Sequence, residues 1–96
     1  MIIAQLSISP IGENVSLSKF VKTAIDVIKN HNVKFETNAM ATVIETKSLD
    51  ELFSIVSDAH KSVAKMGVKR IITELKIDDR WDKNSTMDSK VKAVLE

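Results

Sequence analysis

The sequence predicts an α+β sandwich, with two helices covering one face of a four-stranded antiparallel sheet and a short helix at the C-terminal end. Three observations carry that expectation. The first segment alternates polar and apolar residues with the period of a strand, two later segments repeat apolar residues at helical spacing, and the predicted elements follow the order βαββαβ. That order is the arrangement of the ferredoxin-like fold.

From Ile2 to Ser9, one side of the predicted strand holds Ile2, Ala4, Leu6 and Ile8, and the other holds Ile3, Gln5, Ser7 and Ser9. Pro10 ends it, and Ile11, Gly12, Glu13 and Asn14 read as a turn. Ser16 or Ser18 is positioned to cap a helix whose apolar stripe is Phe20, Val21, Ala24, Ile25 and Ile28, finishing near Asn30 to Asn32. Val33 to Thr37 and Met40 to Thr46 are β-prone runs joined by Asn38 and Ala39, which suits a hairpin.

Ser48, Leu49, Asp50 and Glu51 form a capping-box pattern. The helix it opens runs to about Met66, with Leu49, Leu52, Phe53, Val56, Ala59, Val63 and Ala64 on its buried stripe, and Gly67 is free to take positive φ just beyond. Val68 to Ile77 predicts the fourth strand, with Asp78 to Asn84 as a polar exit. Ser85 or Thr86 then caps a last helix bearing Met87, Val91, Val94 and Leu95.

A chain of 96 residues is one domain with a single modest core, spanning residues 1–96. Its 14 Lys and Arg stand against 13 Asp and Glu with the signs interspersed, so no basic face announces a nucleic-acid partner. The absence of Cys removes disulfides, thiolate zinc sites and thiol nucleophiles together. The opening ten residues lack a basic n-region and are broken by polar residues and Pro10. They predict neither a signal peptide nor a membrane span, and the expected location is cytoplasmic.

Two helices leave one face of a four-stranded sheet bare. Such a face is solvated, used for a ligand or buried on another subunit, and the last helix has no room on the covered face. It is expected to dock on a neighbour or along the sheet rim, which predicts a homo-oligomer built on a two-fold dimer.

No chemistry of a familiar kind is written in the chain. His31 and His60 lack partners at metal-binding spacing, no G-x-S-x-G elbow or Ser-His-Asp pattern exists, and two glycines cannot build a phosphate-cradling loop. No metal, no cofactor and no catalytic residue is expected. Asp78 and Asp79 are adjacent on a strand and point to opposite faces, which makes them a charged edge rather than an acid-base pair. Arg80 is expected to pair with either of them or with a neighbouring subunit, and Trp81 to anchor an interface.

Asn38, Thr42 and Glu45 lie on or beside a predicted strand, and two readings of them stand. One is a solvent-facing strand with a hairpin Asn. The other is a small polar heterocycle bound between strand and helix, with Thr42 and Asn38 giving directional hydrogen bonds and Glu45 meeting a cation or amino group.

Along nearly its whole length the chain resembles the small thiamine-binding protein family, the YkoF-like or DUF77-type domains. The likeness is carried by Met1 to Ala4, Ser9 to Gly12, Ser16 to Phe20, Met40 to Glu45, Ala59 with His60, Gly67 to Arg70, Ile77 to Arg80 with Asp82 and Lys83, and Thr86 with Met87 before Lys90 and Val91. Asn38 with Ala39, Ala41 and Thr46 depart from the family's usual Thr-Pro, Gly and Gly. The resemblance implies a ferredoxin-like domain that pairs through its sheet into homodimers or homotetramers and binds thiamine or its hydroxymethylpyrimidine part. It also implies ligand-facing roles for Thr42, Glu45, Ser16, Ser18 and Asn38.

The expected function is therefore non-catalytic binding of thiamine or hydroxymethylpyrimidine, for carriage, buffering or delivery. The alternative is a structural or regulatory homo-oligomer whose partner is a protein. An acylphosphatase-like enzyme would need an Arg between the first strand and first helix, and Pro10 to Val15 contain none.

Overall fold

The computed structural model describes residues 1–12 and 17–96. Its elements are β1 (Ile2–Pro10), α1 (Ser18–Asn30), β2 (Lys34–Thr37), β3 (Thr42–Thr46), α2 (Leu49–Ala64), β4 (Ile71–Asp79) and α3 (Met87–Leu95). The strands form one sheet in the order β2-β3-β1-β4, with every neighbouring pair antiparallel. This is the predicted ferredoxin-like arrangement.

The alternation along β1 sorts its side chains as expected. Ile2, Ala4, Leu6 and Ile8 are buried beneath α1 and α2, where Phe20, Ala24 and Ile28 meet Ile55, Ala59 and Val63 around Ile44 of β3. Burial is the term that holds this layer together, since each fully buried Leu or Ile contributes about 1.5–3 kcal/mol. On α2 the stripe is rotated from the predicted one. Ile55 is fully buried while Phe53 and Leu49 are exposed, because a helix lying on a twisted sheet buries the narrower line through Leu52, Ile55, Ala59 and Val63.

The local signals fare unequally. Ser48 caps α2 by accepting from the Glu51 N–H at 3.1 Å, but the Glu51 carboxylate reaches back to the Lys47 N–H at 3.0 Å, one residue short of a closed box. Thr86 caps α3 in a reciprocal pair with Ser89. At α1 the capping position belongs to Leu17, with no side-chain cap, and Ser18 is the first helical residue. Ser16, the other predicted cap, lies outside the described residues, as do Glu13 and Asn14 of the predicted turn.

Strand boundaries differ from expectation by one to three residues, most at β4 and around the β2–β3 connection. β4 starts at Ile71 and continues through Asp79, because the antiparallel ladder pairs it with all of β1, from Pro10 with Ile71 to Ile2 with Asp79. The β2–β3 connection is a four-residue loop, Asn38 to Ala41, rather than a two-residue turn. A tight two-residue hairpin turn needs positive φ, and neither Asn38 nor Ala39 adopts it. Ala carries a Cβ that makes that conformation costly, so the loop widens instead.

The last helix also departs from its predicted place. It lies on the sheet face opposite α1 and α2, fastened to Lys34, Glu45 and Asp78, whose side chains point away from the core by strand alternation. Met87 is the one α3 residue that is buried, and Val91, Val94 and Leu95 remain exposed. The helix thus docks on its own sheet and leaves its apolar end exposed.

Candidate functional site

A cavity of about 250 Å³ opens at the end of the core where β1 finishes, α1 begins and the β2–β3 loop turns. Its apolar wall includes Leu6, Ile8, Leu17, Val21 and Ile28, and its polar lining comes from the hairpin, with Thr37, Asn38 and Thr42, and from Ser7 and Ser9 of β1. Every described residue lining it is uncharged. Ligand pockets for drug-sized molecules run from roughly 300 Å³ upward, so this volume suits a single heterocyclic ring.

Thr42 reaches the cavity because of strand parity. It faces the helices together with Ile44 and Thr46, and it is only 6% exposed. The register places Thr37 directly opposite, and their hydroxyl oxygens lie 3.1 Å apart. A buried hydroxyl needs a partner. The pair satisfies one hydrogen bond internally and keeps further donor and acceptor capacity for a ligand.

Asn38 borders the same cavity, but its side-chain oxygen is committed. It accepts from the backbone N–H groups of Met40 at 2.8 Å and Ala41 at 3.0 Å, which shapes the loop, so the amide NH₂ is the group left for a ligand. Met40 stands at the loop tip, 85% exposed, beside the opening. Phe20, expected with Met40 to cover a ligand's face, is instead buried in the core.

Glu45 does not join this group. Three positions along β3 from Thr42, it projects from the opposite face, where its carboxylate accepts from the Met87 N–H at 2.7 Å. The expectation that Asn38, Thr42 and Glu45 read one ligand thus fails on geometry: odd spacing along a strand sends two side chains to different faces. Glu45 instead holds the first turn of α3, where negative charge is favoured by the helix dipole. Ser18 sits on the first turn of α1 and is not among the residues lining the cavity. Ser16 lies outside the described residues.

Among the lining residues that sequence reading did not assign to the site are Thr37, Ser7, Ser9 and the apolar pair Leu17 and Val21. The signal for Thr37 was the hairpin register, which a two-residue turn would have shifted. The other singled-out polar residues pair locally. Arg80 holds Asp82, with Nε to Oδ1 at 2.6 Å and Nη2 to Oδ2 at 2.9 Å, and not Asp78 or Asp79 as expected. Trp81 donates its indole N–H to Asp79 at 2.9 Å and is otherwise exposed.

His60 Nδ1 lies 2.6 Å from the Thr73 hydroxyl and His31 Nε2 lies 2.9 Å from an Asp58 oxygen. No cluster of three metal-ligating side chains occurs among the described residues. No helix among them is long and apolar enough to cross a membrane.

Fold and cavity together define a ferredoxin-like α+β domain with a ring-sized, uncharged cleft between its sheet and first helix. A family model for thiamine-binding proteins matches residues 4–95, and the chain belongs to that family. It is 45% identical over 93 residues to a UPF0045 protein of Methanocaldococcus jannaschii, covering 97% of this chain and 91% of the relative. The crystal structure of that archaeal protein superposes with a TM-score of 0.89, covering 97% of this chain and 94% of the other.

A DUF77 domain from Bacillus cereus is 30% identical with a TM-score of 0.84, covering 94% of this chain and 86% of that one. A Thermotoga maritima protein named for thiamine biosynthesis or salvage shares the fold at 22% identity and a TM-score of 0.84, covering 97% of each chain. The family is named for thiamine binding and not for a reaction.

Proposed function

We propose that the protein binds thiamine or its hydroxymethylpyrimidine part, without catalysing a reaction on it, in the cleft between the β2–β3 hairpin and α1. The observation that carries this reading is the Thr37–Thr42 hydroxyl pair set at the polar side of an uncharged cavity of single-ring volume. An aminopyrimidine presents donors and acceptors along one edge and an apolar face on each side. The hydroxyl pair and the Asn38 amide NH₂ read the edge, and Leu17, Val21 and Met40 pack on the ring. The thiazolium of thiamine lies outward in this reading, because no carboxylate among the described residues lines the cleft and Glu45 is turned to the other face.

Such a protein serves carriage, buffering or delivery in the cytoplasm and needs no cofactor. Isothermal calorimetry with thiamine and with hydroxymethylpyrimidine tests it. Saturable heat from either ligand that weakens in Thr42→Val supports the reading, and no heat from both overturns it.

A second reading concerns assembly and rests on a different observation. Val94 and Leu95 are 83% and 77% exposed at the free end of α3, beside an open sheet face bearing Ile3 and Val43. Burying them on a second copy gives a homodimer, and two such dimers a homotetramer. Sedimentation of the full chain and of Leu95→Asp decides it: a monomeric mass for the unaltered chain ends this reading. The same surface would serve a protein partner if the chain acts as a structural or regulatory component.

A further inference from the structure

A second concavity, of about 310 Å³, lies at the other end of β1 and has no part in the reading above. It is bounded by the segment that leaves β4 and by the outer side of α3, with Arg80, Lys83 and Lys90 as its charged residues and Ser85 and Ser89 as its hydroxyls. β1 spans nine residues between the two ends, roughly 26 Å at strand rise, so the two cavities are separate.

Four features of this concavity point to an anion. Its charged lining is entirely cationic. The carboxylates nearest those cations, Asp82 on Arg80 and Asp78 on Lys90, stand outside the lining, and each occupies only part of its partner's donors. A guanidinium has five N–H donors, of which Asp82 takes those of Nε and one of Nη2, and an ammonium has three. Lys83 makes no ion pair among the described residues.

The remaining feature is Ser85. It is only 8% exposed, yet its hydroxyl makes no hydrogen bond within the described chain, although it borders the concavity. Its oxygen is not itself buried, since no buried side-chain polar atom among the described residues lacks a partner, so a ligand oxygen can reach it from the concavity. Ser89, by contrast, is occupied in the α3 cap, where its hydroxyl bonds Thr86. Ser85 is thus a spare neutral donor beside three cations.

We infer that this concavity is a binding site for a tetrahedral oxyanion, a free phosphate or the phosphate group of a small ester, held by Lys83, Arg80, Lys90 and the Ser85 hydroxyl. A phosphate offers enough oxygens to engage the three cations and the hydroxyl at once, and its charge offsets the cationic surplus left by two carboxylates among three cations.

The test is calorimetric titration of the full-length protein with inorganic phosphate and, separately, with glycerol 3-phosphate, at ionic strength matched by sodium chloride. Saturable binding is expected for at least one, and tighter binding of the ester identifies a phosphorylated small molecule as the natural occupant. Lys83→Ala, an exposed change, weakens it about fivefold. Ser85→Ala, which breaks no bond within the chain, weakens it about tenfold. Heat that chloride alone reproduces, or affinity unchanged in both variants, overturns the assignment. Binding of thiamine or hydroxymethylpyrimidine at the other end is independent of either result, so the two readings fail separately.

Discussion

On one face of the sheet, Ile44, Leu52 and Ile55 are fully buried between strands and helices. On the other, α3 meets the strands through one buried residue, Met87, and through polar contacts from Lys34, Glu45 and Asp78. The first face is held by removal of apolar surface from water, which involves no titrating group. The second is held at the start of a helix by hydrogen bonds and exposed ion pairs, which are individually weak. A single sheet thus carries one side held by apolar burial, which also walls the cleft, and one side held mainly by polar contacts.

The largest effect expected from this contrast is on the covered face. Ile44→Ala leaves a cavity in the core and costs about 2–5 kcal/mol, whereas Val94→Ala on α3 changes stability by no more than about 0.5 kcal/mol. Denaturant unfolding measures both, and comparable losses would break the comparison. Next in size is ligand affinity: Thr42→Val weakens hydroxymethylpyrimidine binding about tenfold, while Glu45→Gln leaves it unchanged because that carboxylate serves the far face. Equal losses in the calorimeter would put both residues at one site, against the geometry.

A smaller effect follows from detaching α3. Glu45→Ala removes the acceptor of the Met87 N–H and costs about 1 kcal/mol. Amide exchange accelerates in the first turns of α3 and stays slow in α1 and α2.

The smallest effect is the response to pH. Bonding to Lys90 holds the Asp78 carboxyl below its ordinary value, and bonding to Arg80 does the same for Asp82, so each stabilises above the unfolded carboxylate value and loses that contribution as pH falls through its folded one. Bonding to Asp88 raises the Lys34 ammonium, so its contribution is present below the unfolded lysine value and lost as pH rises through the raised one. The Lys34–Asp88 and Asp78–Lys90 attachments of α3 are therefore strongest between about pH 4 and pH 10, whereas Arg80 and Asp82 pair outside the helix. Amide exchange of α3 compared within and beyond that range reads the loss. A change confined to the core helices would contradict the assignment.

Much of this arrangement was legible in residue order. The alternation from Ile2 to Ser9, the Ser48 cap and the Thr86 cap are local signals, written in spacings of two, three and four, and each appears in the structure where the spacing puts it. Family membership was legible for the same reason, since short ordered motifs run almost from end to end. The site was legible only in part. Thr42 and Asn38 border the cleft, but Glu45 was grouped with them by nearness in sequence, and the pleat separates what the chain order joins.

By itself, then, the sequence determined the type and order of the elements and the sorting of β1 into a buried and an open side, because those depend on local periodicity. The tertiary structure alone decided that Thr37 faces Thr42, that Glu45 fastens α3, and that Ser85 lies beside three cations. Strand register, loop width and helix docking are set by contacts between residues far apart in the chain, and no window along the sequence contains both partners.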